Sequence, residues 1–232
     1  MRYLLVAAAL AAAFITHTAS AQVPPAETEV VRYNGLHAAA HKGQAEQVQK
    51  LVANGAGVNG GDAHGRTPLH VATFARQREA IRALARSGAD LGALENDRYD
   101  AVTIAAVAND EETLRLLLSL GASPKLVTSR YDGTALIAAA HLGHAGVVKQ
   151  LIGAGAPLDH VNNLHWTAMI ESVVLGDGGV RHQETLRALI AAGANPQLAD
   201  RQGKTPLMLA RARGYTPMVL MLERAQAPKK PA

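Results

Sequence analysis

Cysteine is absent from the 232-residue chain, which excludes a disulfide scaffold, a thiolate zinc site and a cysteine nucleophile. Aromatic residues make up only 3% of it. Alanine and leucine must therefore fill the interior, which favours closely packed short helices. The formal charge of +4, from 23 basic and 19 acidic residues, is too small and too scattered to argue for a nucleic-acid partner. Long hydrophobic runs are also missing. The apolar stretch Leu4 to Ile15 has 12 residues, too short to cross a ~30 Å hydrocarbon core as a helix, and no membrane span is expected.

That stretch follows Met1-Arg2-Tyr3 and precedes Ala19-Ser20-Ala21. A charged start, a short apolar middle and an A-x-A site form the secretory signal pattern. Residues 1–21 are expected to be a cleaved signal peptide, leaving a mature chain that begins at Gln22 and works in the bacterial periplasm. Residues 22–30 and 226–232 read as disordered ends, the latter being Gln-Ala-Pro-Lys-Lys-Pro-Ala.

The body of the chain repeats. Gly-Ala recurs at Gly55, Gly88, Gly121, Gly155 and Gly193, at intervals of 33, 33, 34 and 38 residues. In phase with it run Thr67-Pro68-Leu69-His70-Val71-Ala72 and Thr205-Pro206-Leu207-Met208-Leu209-Ala210, with weaker copies starting at Asn34, Asp100, Thr134 and Thr167. Self-similarity at such a period marks a repeat architecture. Within one unit, Thr67 is placed to cap a helix and Pro68 to open it. Glu79 to Arg86 reads as a second helix, and Gly88 as its left-handed terminator. The polar stretch after each Gly-Ala should project as a hairpin-like turn.

At these residues the chain resembles the ankyrin-repeat family, whose unit carries T-P-L-H-x-A in a 33-residue period. The resemblance covers residues 31–225 and implies an all-α solenoid of about six helix-turn-helix units with projecting β-hairpin-like turns. It further implies a non-enzymatic protein–protein binding module or scaffold that uses the turn tips and the concave face of the first helices.

The candidate contact residues follow from register. The position before each Thr reads Tyr33, Arg66, Tyr99, Gly133, Trp166 and Lys204, with Tyr131 two residues from its slot. Four of the six aromatics after residue 21 thus gather on one edge, and aromatic and Arg side chains dominate binding hot spots. The blander reading packs these rings hairpin against hairpin. Phe74 and His141 fall on the concave helix ends. The partner-binding set is Tyr33, Arg66, Phe74, Tyr99, Tyr131, His141, Trp166 and Lys204, for an unidentified protein partner.

No catalytic, cofactor or metal site is expected. No P-loop, G-x-S-x-G or H-E-x-x-H is present. Glu171 sits at an otherwise apolar helix position and needs a partner, either Arg211 or a neighbouring His. Pairs such as His37/His41 and His141/His144 have spacings that could serve a metal or haem iron, and His182 has no place in the motif. Resemblance to exported bacterial members implies the rival function, an accessory factor for haem or metal handling or for protection of a periplasmic catalase or peroxidase. The 38-residue interval places extra residues near Gly176-Asp177-Gly178-Gly179, expected as a flexible loop. The last unit ends in Met218, Val219 and Leu222 with a less polar outer face than a good cap. A monomer is expected, with contact through that face as the alternative.

Overall fold

The computed structural model describes residues 22–227. The leader expected at residues 1–21, and residues 228–232 of the expected tail, lie outside the described residues. After a short helix α1 (Glu27–Val30), twelve helices pair in chain order: α2 (Gly35–His41) with α3 (Ala45–Ala53), α4 (Pro68–Phe74) with α5 (Arg78–Arg86), α6 (Ala101–Val107) with α7 (Glu111–Ser119), α8 (Ala135–His141) with α9 (Ala145–Gly153), α10 (Ala168–Val174) with α11 (Val180–Ala191), and α12 (Pro206–Ala212) with α13 (Thr216–Gln226). These are units 1 to 6. Each first helix packs on the first helix of the next unit, and the second helices do the same, so one core runs the length of the stack.

The repeated residues build each unit in the same way. Thr67, Thr134, Thr167 and Thr205 each accept a hydrogen bond from the backbone N–H three residues on, satisfying a free helix amide. The leucine position points inward, with Leu69, Val102, Leu136 and Met169 fully buried. Second helices end where Gly55, Gly88, Gly121, Gly155 and Gly193 take φ of +85° to +97°. A Cβ at Gly88 would meet nothing within 4 Å, so the left-handed backbone alone selects glycine there. The following alanine amides then donate back to Leu51, Leu84, Leu117, Leu151 and Leu189, closing each helix end.

The connecting turns project as tight hydrogen-bonded loops. Asp62 N–H donates to the Arg66 carbonyl at 3.0 Å, and Glu95, Asn162 and Asp200 repeat the bond to Tyr99, Trp166 and Lys204. Among the described residues the only strand-like pairing is one isolated bridge, Thr128 with Gly133. Neighbouring tips are joined by backbone bonds, Asn96 N–H to the His64 carbonyl, Ser129 to Arg98 and Asn163 to Tyr131.

Four local expectations change. Glu27–Val30, expected as disordered linker, form a helical turn because Glu29 bonds the Ala26 amide at 2.7 Å and the Arg66 guanidinium at 2.9 Å. Gln226, expected in the tail, is still helical. Met218 and Leu222 are fully buried, and the outer face of unit 6 instead carries exposed Met208 and Leu220 with an Arg211–Glu223 ion pair at 2.6 Å between α12 and α13. The Gly176–Gly179 loop is docked rather than loose. Tyr215 donates to the Gly176 carbonyl at 2.9 Å, and His182 reaches both Asp177 at 2.9 Å and the His141 carbonyl at 3.0 Å.

Unit 3 differs at its cap, where Asp100 replaces the threonine. Asp100 accepts from the Thr103 amide at 2.9 Å, but its second oxygen is buried without a partner. Burial pushes its pKa above the usual carboxylate range, and the bonds from Thr103 only partly offset this. An acid with a raised folded pKa binds more protons folded than unfolded, so it favours the fold at low pH and costs stability as pH rises. Asp100→Thr is expected to raise stability near neutrality by about 1 kcal/mol. Thermal melts of the variant should also lose part of the decline that the parent shows above about pH 4.

Candidate partner-binding surface

The hairpin edge begins with a charged clamp. Arg66 is 2% exposed, which corrects its expected place on the accessible edge. Its Nε donates to Asp62 at 2.8 Å and its Nη2 to Glu29 at 2.9 Å. Tyr33 donates its hydroxyl to the same Asp62 carboxylate at 2.7 Å. Burial disfavours the Asp62 anion, yet the Tyr33 hydroxyl, the Arg66 guanidinium and the amides of Arg66 and His64 outweigh it and hold the pKa at about 2. The depressed value means that this clamp contributes stability above the ordinary carboxylate pKa and loses it as pH falls towards about 2. Tyr33 and Arg66 thus tie the N-terminal segment to the hairpin between units 1 and 2.

Further along, the other candidates divide by exposure. Trp166 and Tyr99 are half-buried, and the Trp166 ring packs on the core. Phe74 and His141 are half-buried on the concave helix ends. Tyr131, at 44% exposure, and Lys204 stand in solvent. Sequence reasoning missed the aliphatic part of this edge. Leu94, Val127 and Val161 each lie six residues after the glycine that ends a second helix, and they are 42%, 39% and 42% exposed. Leu164 joins them at a tip, at 37%. The signal was available, since one register position carries Leu, Val and Val where a solvated loop would carry polar residues.

The histidines are mostly engaged by the backbone. His70 is buried. Its Nδ1 accepts from the Thr67 amide at 3.0 Å, while Nε2–H donates to the carbonyls of Ala93 and Tyr99. Burial lowers its pKa, favouring this neutral form. His37 Nε2 contacts the Arg66 carbonyl and His160 Nε2 that of Asp132. His144 donates to Ala106, and burial lowers its pKa as well. His182 occupies the same register as His144, counting back from Leu189 and Leu151. It is the unit's motif histidine, displaced in the sequence by the inserted loop.

Glu171 finds the histidine its position demanded. It is buried, with Oε2 3.3 Å from His141 Nδ1, while Oε1 accepts from Asn162 Nδ2 at 3.0 Å. Asn162 Oδ1 in turn accepts from the amides of Leu164 and Trp166. A chain of polar contacts therefore runs from a hairpin tip to a concave helix end. Among the described residues no group of three or more His, Asp or Glu is gathered as a metal cluster would require. None of the described helices is long and apolar enough to cross a membrane. A shallow concavity of about 1050 Å³ lies on the uncovered face of unit 1, lined by Gly35, Ala38, Gln47 and Lys50, away from the hairpin edge.

Comparison with known proteins agrees with this architecture. A family model described as ankyrin repeats (3 copies) matches residues 7–95 and 102–199. The ankyrin repeat protein YahD of Escherichia coli (strain K12) is 38% identical over 108 residues, 46% of this chain and about half, 54%, of that protein. Among solved structures, an ankyrin repeat domain from Acinetobacter baumannii AYE is 40% identical with a TM-score of 0.77, covering 82% of this chain and 96% of its own. The ankyrin repeat domain of Bcl-3, a member of the IκB family, is 27% identical with a TM-score of 0.75, covering 84% and 87%. Ankyrin repeats are protein–protein interaction modules and typically not enzymes. With its six stacked helix pairs, capped threonines and left-handed glycine stops, the chain belongs to the ankyrin-repeat family.

Proposed function

We propose that this protein is a non-enzymatic docking module, exported to the bacterial periplasm by its leader, that holds a protein partner along the hairpin edge of units 2 to 5. The observation that carries this reading is the set of five exposed apolar side chains there: Leu94, Val127, Tyr131, Val161 and Leu164. These residues fall at two repeated positions of the turn, and exposed apolar side chains that recur in this way mark interaction surfaces. The backbone bonds between tips hold this edge in one geometry, so little ordering entropy is lost on docking.

The test pairs Tyr131→Ser with Leu164→Ser. Capture of partner from a periplasmic extract is expected to fall at least about tenfold, while the melting transition moves by no more than about 0.5 kcal/mol, as for surface substitutions in general. Equal capture by parent and variant would sink the reading. For the export half of the proposal, mature protein recovered from the periplasm should begin at Gln22 by mass.

A further inference from the structure

The arginines on the hairpin and first-helix side differ in what compensates their charge. Arg66 is paired with Asp62 and Glu29, Arg98 with Asp132, Arg130 with Asp97, and Arg211 with Glu223. Arg76 approaches Asp110 at 3.7 Å. Arg201 and Arg213 have no carboxylate partner among the described residues. Arg201 is held by the Asn163 carbonyl and by His165 Nδ1, and Arg213 donates to the Val174 carbonyl at 3.2 Å. These contacts orient both exposed side chains without a carboxylate, so neither guanidinium is ion-paired.

Each anchor point adjoins an exposed leucine. Leu164 lies between Asn163 and His165, and Leu175, 43% exposed, follows Val174. The nearby carboxylates bond other groups, Asp200 the amides of its own turn, Glu171 Asn162 and His141, and Asp177 His182 and the Gly179 amide, so none is paired with either arginine. Units 5 and 6 therefore present two fixed cation–leucine pairs, with exposed Lys204 on the same edge.

We infer that the segment docking on units 5 and 6 is an acidic stretch of protein in which carboxylates alternate with apolar side chains. This rests on the docking reading above and names the chemistry of its partner. An Arg whose rotamer is already set gives a carboxylate a fork of donors at reduced entropic cost. The adjacent leucines supply the apolar contact that a bare polyanion could not use. Trp166 is half-buried on the core, which leaves Tyr131 as the exposed ring beside this tip, and one ring is not the series of platforms on which successive bases stack.

The experiment uses mature protein and three fluorescent probes: a peptide of alternating Glu and Leu, its Lys and Leu counterpart, and a single-stranded oligonucleotide, followed by anisotropy at low and moderate salt. The Glu/Leu peptide should bind best. Its affinity should fall at least about tenfold in R201A/R213A and stay within twofold, roughly the effect of a remote surface charge, in R187A/R224A, which removes two exposed cations from the second helices. Because loss in an alanine variant could reflect misfolding, R201E/R213E supplies a gain: it should prefer the Lys/Leu peptide. Equal loss in the two alanine variants would reduce the effect to net charge and overturn the inference. Tighter binding of the oligonucleotide through the same arginines would overturn it in favour of a polyanion site. If R201A/R213A still captures partner from extract while the Tyr131/Leu164 variant does not, the acidic-segment inference fails and the docking reading survives.

Discussion

Replacing Asn162 with alanine is expected to lower the unfolding free energy by about 3 kcal/mol, because one buried side chain serves three polar groups at once. Its oxygen accepts from the Leu164 and Trp166 amides at 3.0 and 2.9 Å, and its nitrogen donates to buried Glu171 at 3.0 Å. Truncation removes the tip's two side-chain bonds while its backbone bonds remain, and it leaves Glu171 with only the 3.3 Å contact to His141. A stranded buried carboxylate is the costly part, so adding Glu171→Leu should recover some of the loss. The coupling in that double-mutant cycle should exceed about 1 kcal/mol. Urea melts would measure all four proteins. A single-variant loss below about 1 kcal/mol would mean that water replaces the amide at this site.

The second large effect is expected at Gly176→Ala. A Cβ there would stand 2.3 Å from the Ser172 carbonyl oxygen and 2.7 Å from the His182 ring. The carbonyl belongs to the last turn of α10, and the ring is held between Asp177 and the His141 carbonyl. Neither can yield without breaking a helix end or the loop's docking, which puts the cost at about 3 kcal/mol. Stacked repeats open by neighbouring units rather than all at once. Hydrogen exchange should therefore show faster exchange in units 5 and 6 and little change in units 1 to 3. Unchanged protection in α11 would show the loop to be more yielding than its contacts indicate.

The fold was legible because its determinants are local. Thr67 caps, Pro68 opens, Leu69 faces inward and Gly88 stops, each within a few residues of the next. The second helix expected at Glu79 to Arg86 begins one residue earlier, at Arg78. What the sequence concealed depends on the neighbouring unit. Arg66 looked like an accessible tip residue because its partner Glu29 lies 37 residues away, in a stretch too short and polar to read as ordered. His182 looked unassigned because the inserted loop shifts its phase, and the loop looked loose because Tyr215, which pins it, is 39 residues downstream. The candidate contact surface was half legible. Register placed Tyr131 and Lys204 on the exposed edge, but exposure of the aliphatic row and compensation of each arginine follow from contacts that only the stacked units create.

One inserted loop bonds backwards to unit 4 through His182 and the His141 carbonyl, and forwards to unit 6 through Tyr215 and the Gly176 carbonyl. Both are its immediate neighbours, and other units are bonded to theirs as well, as by Arg78 to Asp110 and His144 to the Ala106 carbonyl. What the loop adds is a hub, a few residues that answer to both sides at once. A change that undocks it would loosen two seams of the rod together, where loss of an ordinary cross-unit bond would loosen one.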